Sequence, residues 1–231
     1  MVNTLNSPTQ GFATFGHSDG GSPTAGMTPV WIASTDAGLI FRGDPVVTST
    51  SPGTNLSGAY ITGINTVNTS SAGFLVRGIF QGCYQFQPAA GRVVWSNFYN
   101  GTVTGSTGDV KAYIVDDPDE LFIVQASTKG TIASSMIGLN IGITFNTTTG
   151  NTVSGYSNVT VESTAVLANS SMPFRLVDFY SAYAPPGGLL GPNFGSSLTN
   201  TVNGLDNGNP ANIVVVRFNN CDRLSLTARS S

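Results

Sequence analysis

The chain has 231 residues, of which 40% are hydrophobic, 10% are aromatic and only 9% are charged, and its formal net charge is −3. Disordered chains are poor in apolar residues and rich in net charge, so this composition indicates a folded protein with a neutral polar surface. The nine basic residues are scattered without an Arg/Lys run, which argues against a nucleic-acid partner. No apolar stretch approaches the length of a membrane-spanning helix, so we expect no membrane partner.

The first 28 residues are predicted to form an extended N-terminal arm. The stretch 1–16 has neither a basic start nor an apolar core, so we expect no secretory signal and synthesis in a cytoplasm. From Ser7 to Thr28 the chain holds too many Gly, Ser and Pro residues for a regular element. Within this arm we expect Phe12, Phe15 and His17 to contact a partner.

Short β-branched or aromatic runs bounded by Gly, Pro, Asn or Ser recur after the arm, and helix signals are nearly absent. They predict strands at Pro29–Ser34, Leu39–Arg42, Pro45–Thr50, Gly73–Phe80, Gly82–Phe86, Val93–Tyr99, Lys111–Val115, Leu121–Gln125, Ile141–Asn146, Ser157–Glu162, Thr164–Leu167, Phe174–Tyr180 and Asn212–Asn219. The stretch 131–137 is the best place for a single helical turn. The pattern predicts an all-β fold over residues 29–219, as a single β-sandwich, jelly-roll or barrel-like domain with long loops.

Four of the twelve acidic residues lie within the five positions Asp116–Glu120, which we call the acidic turn. Predicted strands flank it, Pro118 suits the second position of a type I turn, and Asp117 and Asp119 are turn formers. These features favour a strand–turn–strand hairpin. A cation site is left open, because hard cations bind several carboxylate oxygens, although the EF-hand spacing is absent. A catalytic role for these acids is the least favoured reading.

The remaining residues give no catalytic constellation. His17 is the only histidine, so we expect neither a hydrolase triad nor a zinc site, and His17 is read as a turn or interface residue. Glu162 and Asp178 fall in predicted strands and could pair as glycosidase carboxylates, but nothing in the sequence requires it. We therefore expect a protein that is not an enzyme and that uses no metal or cofactor. Cys83 and Cys221 are expected to be buried free thiols.

Two later segments have no regular period. The loop 184–210 is long for a compact domain, and its apolar content predicts that it packs onto something. Residues 220–231 are predicted to form an exposed C-terminal tail. The residues that we expect at a partner interface in these two segments are Leu189, Leu190, Phe194, Arg223, Leu224 and Leu226.

Five segments in order resemble a family of virion proteins. They are GHSDGGSPTAG, PVWIASTDAGLIFRGDPVV, VRGIFQGCYQF, KAYIVDDPDELFIVQAS and NIVVVRFNN, and they span roughly Gly11–Asn219. The chain is similar to head decoration or capsid cement proteins of tailed bacteriophages, cyanophages among them. The GDPV that follows an apolar strand and the DDP of the acidic turn are the most specific pieces.

The resemblance implies a non-enzymatic virion structural protein that binds the outer capsid surface and cements neighbouring major capsid protein subunits. Its partners would be the major capsid protein and further copies of itself, as a homo-trimer or homo-dimer, and it would lie on the capsid exterior after assembly in the host cytoplasm. A rigid β body with arms that add strands to exposed edges suits this role. Two alternatives stay open. One is a tail or fibre-associated host-binding module, in which Trp31, Trp95 and the seven tyrosines hold saccharides, and the other is a β-fold carbohydrate-active enzyme.

Overall fold

The computed structural model describes residues 11–23, 26–49, 58–64, 75–88, 91–101, 108–127, 132–144, 150–167, 169–180 and 213–224. These residues contain the strands β1 (Ala13–His17), β2 (Thr28–Ile32), β3 (Leu39–Phe41), β4 (Pro45–Thr48), β5 (Ile61–Gly63), β6 (Gly78–Gln87), β7 (Arg92–Ser96), β8 (Phe98–Asn100), β9 (Val110–Val115), β10 (Glu120–Gln125), β11 (Asn140–Thr144), β12 (Thr160–Leu167), β13 (Phe174–Phe179) and β14 (Ile213–Phe218). A 3₁₀ turn at Ser134–Met136 lies where a helical turn is predicted. The all-β fold class is confirmed. In the part of the chain that the structure describes, no helix has the length and hydropathy to cross a bilayer.

The strands form three antiparallel sheets. The first sheet has the order β1-β10-β14-β13-β11-β12. The second sheet has the order β2-β9-β6-β4-β5, and β7 also pairs with β6. The small sheet consists of β3 and β8.

Most predicted strands are present, but several boundaries differ for local reasons. β6 is one strand where two are predicted, because a bulge between Phe80 and Gly82 carries the ladder past the glycine. β7 and β8 are two strands where one is predicted, because the Ser96 hydroxyl accepts a hydrogen bond from the Phe98 amide and bends the chain. β12 is one strand where two are predicted on either side of Ser163. The Ser163 hydroxyl hydrogen-bonds to Ser127, and the chain continues without a turn.

Two hydrophobic clusters hold the sheets together. The larger one contains the inner face of the first sheet, where the rings of Phe12 and Phe174 stack with centroids 4.4 Å apart. The smaller one lies between the second sheet and the small sheet, and it includes Ile40, Phe80 and Tyr99. Burying this apolar surface is the main force that stabilises the fold. Cys83 and Cys221 are buried and free, as predicted, and burial raises the pKa of the Cys83 thiol to about 12.

The described ends of the chain differ from the predicted arms. Residues 13–17 form β1 and pair with β10, so this part of the N-terminal segment belongs to the first sheet. At the other end, Cys221 bridges to Val76, and the amide of Asp222 donates to the carbonyl of Val76. Backbone amide and carbonyl groups need hydrogen-bond partners when they leave water, which is why these residues pair with neighbouring segments. The predicted loop 184–210 lies outside the described residues.

Candidate functional site

The acidic turn connects two sheets, and the prediction of a hairpin is wrong. The turn itself is as expected: the Glu120 amide donates to the carbonyl of Asp117, and the Asp119 amide donates to the Asp117 side chain. However, β9 belongs to the second sheet and β10 to the first. Pairing partners depend on which apolar faces meet, and a turn sequence does not record them.

Asp116 is the centre of an ion network at this corner. Its carboxylate is 4% exposed and lies 3.2 Å from the Arg77 guanidinium and 3.3 Å from that of Arg223. The Thr28 hydroxyl donates a third contact of 2.7 Å. A buried carboxylate needs such partners to offset the loss of hydration. Asp116 therefore fastens the start of β2, the approach to β6 and the C-terminal segment to one point.

His17 lies beside the acidic turn, at the end of β1. Its Nδ1 is 2.8 Å from the carboxylate of Asp19, and its Nε2 is 3.6 Å from that of Asp117. The hydrogen bond with Asp19 raises the pKa of His17, and the charges of Asp117 and Asp119 act in the same direction. The donor atoms of His17, Asp117 and Asp119 lie within 4.8 Å of one another. An imidazole and two carboxylates are a set that can hold a divalent cation.

Residues Gly16–Gly20 read Gly-His-Ser-Asp-Gly, a G-x-S-x-G pattern that the sequence reasoning missed. In hydrolases, this serine lies on a turn from a strand to a helix and is activated by a histidine. Here the Gly20 amide closes a tight turn onto the His17 carbonyl. The Ser18 hydroxyl donates to the carboxylate of Asp119, and His17 contacts Asp19. The geometry therefore gives Ser18 a carboxylate partner in place of the histidine of a hydrolase.

The GDPV motif is a second buried polar junction. Asp44 is 1% exposed, and its carboxyl group accepts hydrogen bonds from the Phe41 amide and the Ser157 hydroxyl. The Gly43 carbonyl accepts from the Phe12 amide, and the Gly43 amide donates to Phe80. Burial raises the pKa of Asp44 to about 7. Both motifs that carry the resemblance are therefore structural junctions.

Glu162, the other acid considered for catalysis, is surrounded by hydroxyl groups. Thr144, Ser127 and Thr164 donate to its carboxylate. Asp178 lies on β13, and β11 separates that strand from β12 in the first sheet. The arrangement of Glu162 is that of a structural side chain held by its neighbours.

β1 presents an aromatic side chain at the edge of the first sheet. Its register against β10 shifts between Thr14 and Gly16, so Phe15 is the extra residue of a β-bulge. Bulges redirect side chains and are frequent at sheet edges. The Phe15 ring is 45% exposed and meets the ring of Tyr180 edge-on, with centroids 5.4 Å apart.

The outer face of the second sheet carries a second exposed aromatic group, which we call the aromatic face: Tyr84, Trp95 and Tyr113. Tyr84 is opposite both Trp95 and Lys111 in the ladders, and opposed residues of antiparallel strands share a face. The three ring centroids are 5.2–6.0 Å apart. The Lys111 ammonium lies 5.7 Å from the Tyr113 ring centre. The sequence predicts Trp95 as a saccharide contact but does not place it beside these tyrosines, because only the strand register brings the three rings together.

The residues predicted at a partner interface have different positions in the structure. Phe12 is 2% exposed and packs in the larger core, which corrects the expectation that it contacts a partner. Phe15 and Leu224 are exposed, His17 is partly buried, and Arg223 is paired with Asp116. Leu189, Leu190, Phe194 and Leu226 lie outside the described residues.

Comparison of the chain with protein-family models, with curated proteins and with solved structures finds no match.

Proposed function

We propose that the chain is a non-enzymatic virion structural protein that binds the outer capsid surface and cements neighbouring major capsid protein subunits. The order of the five segments described above supports this role. So does the location of its two most specific motifs, since Asp44 joins the turn before β4 to the segment that leads into β12, and Asp116 lies between β9 and β10, which belong to different sheets. A protein that strengthens a shell needs a body that resists deformation and a surface that docks.

The observation that carries the proposal is the bulged edge strand β1. β10 is its neighbour on one side, and β1 ends the row of strands in the first sheet as the structure describes it. The Phe12 amide before β1 donates to Gly43 and the His17 amide at its end donates to Gly21, so a partner strand would add its main-chain hydrogen bonds around Thr14 and Phe15. Phe15 provides an aromatic anchor beside it, and anchors of this type dominate the binding energy of many interfaces. Many copies on one lattice then bind with avidity.

The test uses particles from which the protein has been stripped. Wild-type protein should rebind, and the Phe15→Ala variant should rebind at least about tenfold more weakly. Val153→Ala is the matched control, because Val153 is 96% exposed on a turn between β11 and β12. Equal rebinding of the Phe15 variant and the control would remove β1 as the docking edge. Absence of the chain from purified virions would refute the proposal altogether.

A tail-associated host-binding module is the second candidate. The aromatic face favours it, because exposed rings such as those of Tyr84 and Trp95 can hold saccharides of a host surface. Counting copies in purified particles by quantitative mass spectrometry separates the two candidates. A copy number in the hundreds supports the capsid, and a handful supports the tail.

A further inference from the structure

We infer that the aromatic face is a binding site for an acidic glycan, which the rings contact through the sugar and Lys111 contacts through a carboxylate. The inference concerns a different sheet from β1 and does not depend on the proposed function. It follows from the rigidity of the rings, from their exposed area and from the charge beside them.

The rings are held in place before any ligand arrives. A Cβ atom at Gly82 would lie 2.4 Å from Cζ2 of Trp95, so the indole packs directly against the glycine backbone. Tyr84 and Tyr113 both meet the indole ring. On the opposite side of the same strands, Cys83 and Ala112 are fully buried. A rigid platform loses little conformational entropy when it binds, which favours affinity.

The two most exposed rings of the aromatic face offer an area that a few sugar units can cover. Tyr84 is 46% exposed and Trp95 is 42% exposed. Aromatic side chains cover about 150–250 Å² each, so together the two offer roughly 200 Å². A stable protein interface needs about 800 Å² per partner. A few sugar units, whose C–H groups pack against aromatic rings, match the smaller area.

The charge beside the rings selects the kind of glycan. Lys111 is exposed, is opposite Tyr84 in the ladder and lies over the Tyr113 ring, whereas the chain as a whole has a formal net charge of −3. The Lys111 ammonium therefore gives an acidic sugar an ionic contact on this face that a neutral sugar lacks. Nucleic acid also stacks on aromatic rings, but it needs a track of cations along the backbone. One lysine supplies a single ionic contact, which fits a single carboxylate.

The experiment is calorimetry at low salt with two hexasaccharides, an alginate oligomer that bears uronic acids and a neutral cello-oligomer. The alginate oligomer should bind saturably and more tightly than the neutral one. Trp95→Ala should weaken alginate binding at least about tenfold. Lys111→Gln should bring alginate binding down to the level of the neutral oligomer and remove its salt dependence.

Phe15→Ala is the matched control, because Phe15 is equally exposed on the first sheet, and its alginate binding should equal that of the wild type. Thermal unfolding verifies that each variant is folded, and Tyr84→Ala replaces Trp95→Ala if the latter is not. The inference is overturned by a lack of saturable alginate binding, by equal binding of the two oligomers, or by a ring variant that binds as the wild type does. Tighter binding of a hexanucleotide would overturn it too, and would assign the face to nucleic acid. Failure here leaves capsid rebinding through Phe15 unaffected, so the two proposals fail separately.

Discussion

The hydroxyl of Ser157 donates a hydrogen bond to the carboxyl group of Asp44, although the two residues lie 113 positions apart. Neither side chain reaches solvent, and the Ser157 hydroxyl also accepts a hydrogen bond from the Val159 amide. The contact joins the turn between β3 and β4 to the segment that leads into β12. Among the residues that the structure describes, no basic group contacts this buried carboxyl group, so the stability of the junction depends on pH.

The first prediction concerns Asp44. Burial raises its pKa from an ordinary value of 3.8 to about 7 in the folded chain, so between these two values the folded chain keeps a proton that the unfolded chain has released. The contribution of the protonated Asp44 carboxyl group to stability is complete below about pH 4 and is lost as pH rises through about 7. The free energy of unfolding should fall over this window by up to about 4 kcal/mol. In Asp44→Asn this decrease should be absent, as measured by urea denaturation from pH 4 to 8.

Asp178→Asn is the control for that experiment, because Asp178 is exposed, and its pH profile should follow the wild type. If the free energy of unfolding of Asp44→Asn still fell by the full amount between pH 4 and 8, the decrease would belong to another titrating group.

The second prediction concerns Asp116. Asp116→Ala leaves the Arg77 guanidinium, whose side chain is only 18% exposed, without its carboxylate. Breaking a buried pair in this way costs about 3–5 kcal/mol. The Arg223 side chain is 52% exposed, so Arg223→Ala should cost under about 1 kcal/mol. Equal losses in the two variants, measured by chemical denaturation, would show that the corner is not held by the Arg77 pair.

The third prediction concerns Gly82, which has φ of +146°. Gly82→Ala should destabilise the fold by about 1–3 kcal/mol, because the added methyl group meets Trp95 and the Ser96 carbonyl. It should also alter the near-ultraviolet circular dichroism of the indole. Gly91→Ala is the matched control: Gly91 also has a positive φ, but nothing lies within 4 Å of its Cβ position. That variant should cost about 1 kcal/mol and leave the indole signal unchanged.

The fourth prediction uses His17 as the single histidine of the chain. Its nuclear magnetic resonance titration should have a midpoint above 6.5, and Asp19→Asn should lower that midpoint. Because the folded pKa is the higher one, the contribution of His17 to stability is present below pH 6.5 and is lost as pH rises through the folded value. A midpoint that does not respond to the Asp19 substitution would contradict the contact.

Sequence reasoning predicts the strands of this fold better than their partners. Val110–Val115 and Ile213–Phe218 alternate or cluster β-branched residues, and both are strands as expected. β1 is not predicted, because two of its five residues, Ala13 and Gly16, are small and a Gly-rich stretch follows it. Pairing with β10 stabilises this strand. The acidic turn is predicted correctly as a turn and wrongly as a hairpin, because its geometry is local whereas sheet membership is set by distant contacts.

The candidate sites also depend on contacts between distant residues, which the sequence does not give. Exposure of Phe15 and burial of Phe12 could not be told apart in the sequence, since both are phenylalanines of one short segment. The bulge at Phe15 and the core stack with Phe174 separate them. The aromatic face likewise depends on register, because Tyr84, Trp95 and Tyr113 lie on three different strands.

The acidic turn separates strands that are synthesised early, in the second sheet and the small sheet, from most strands of the first sheet, which are synthesised later. Every described strand of the second sheet and of the small sheet lies between Thr28 and Val115, so these strands can pair before residues 120–218 have been synthesised. The first sheet cannot, since β14 lies between β10 and β13 and ends at Phe218. Until then β10 and β13 each lack a neighbour, and unpaired edges of this kind favour aggregation. We therefore expect the nascent chain to be most prone to aggregation while residues 120–218 are being synthesised.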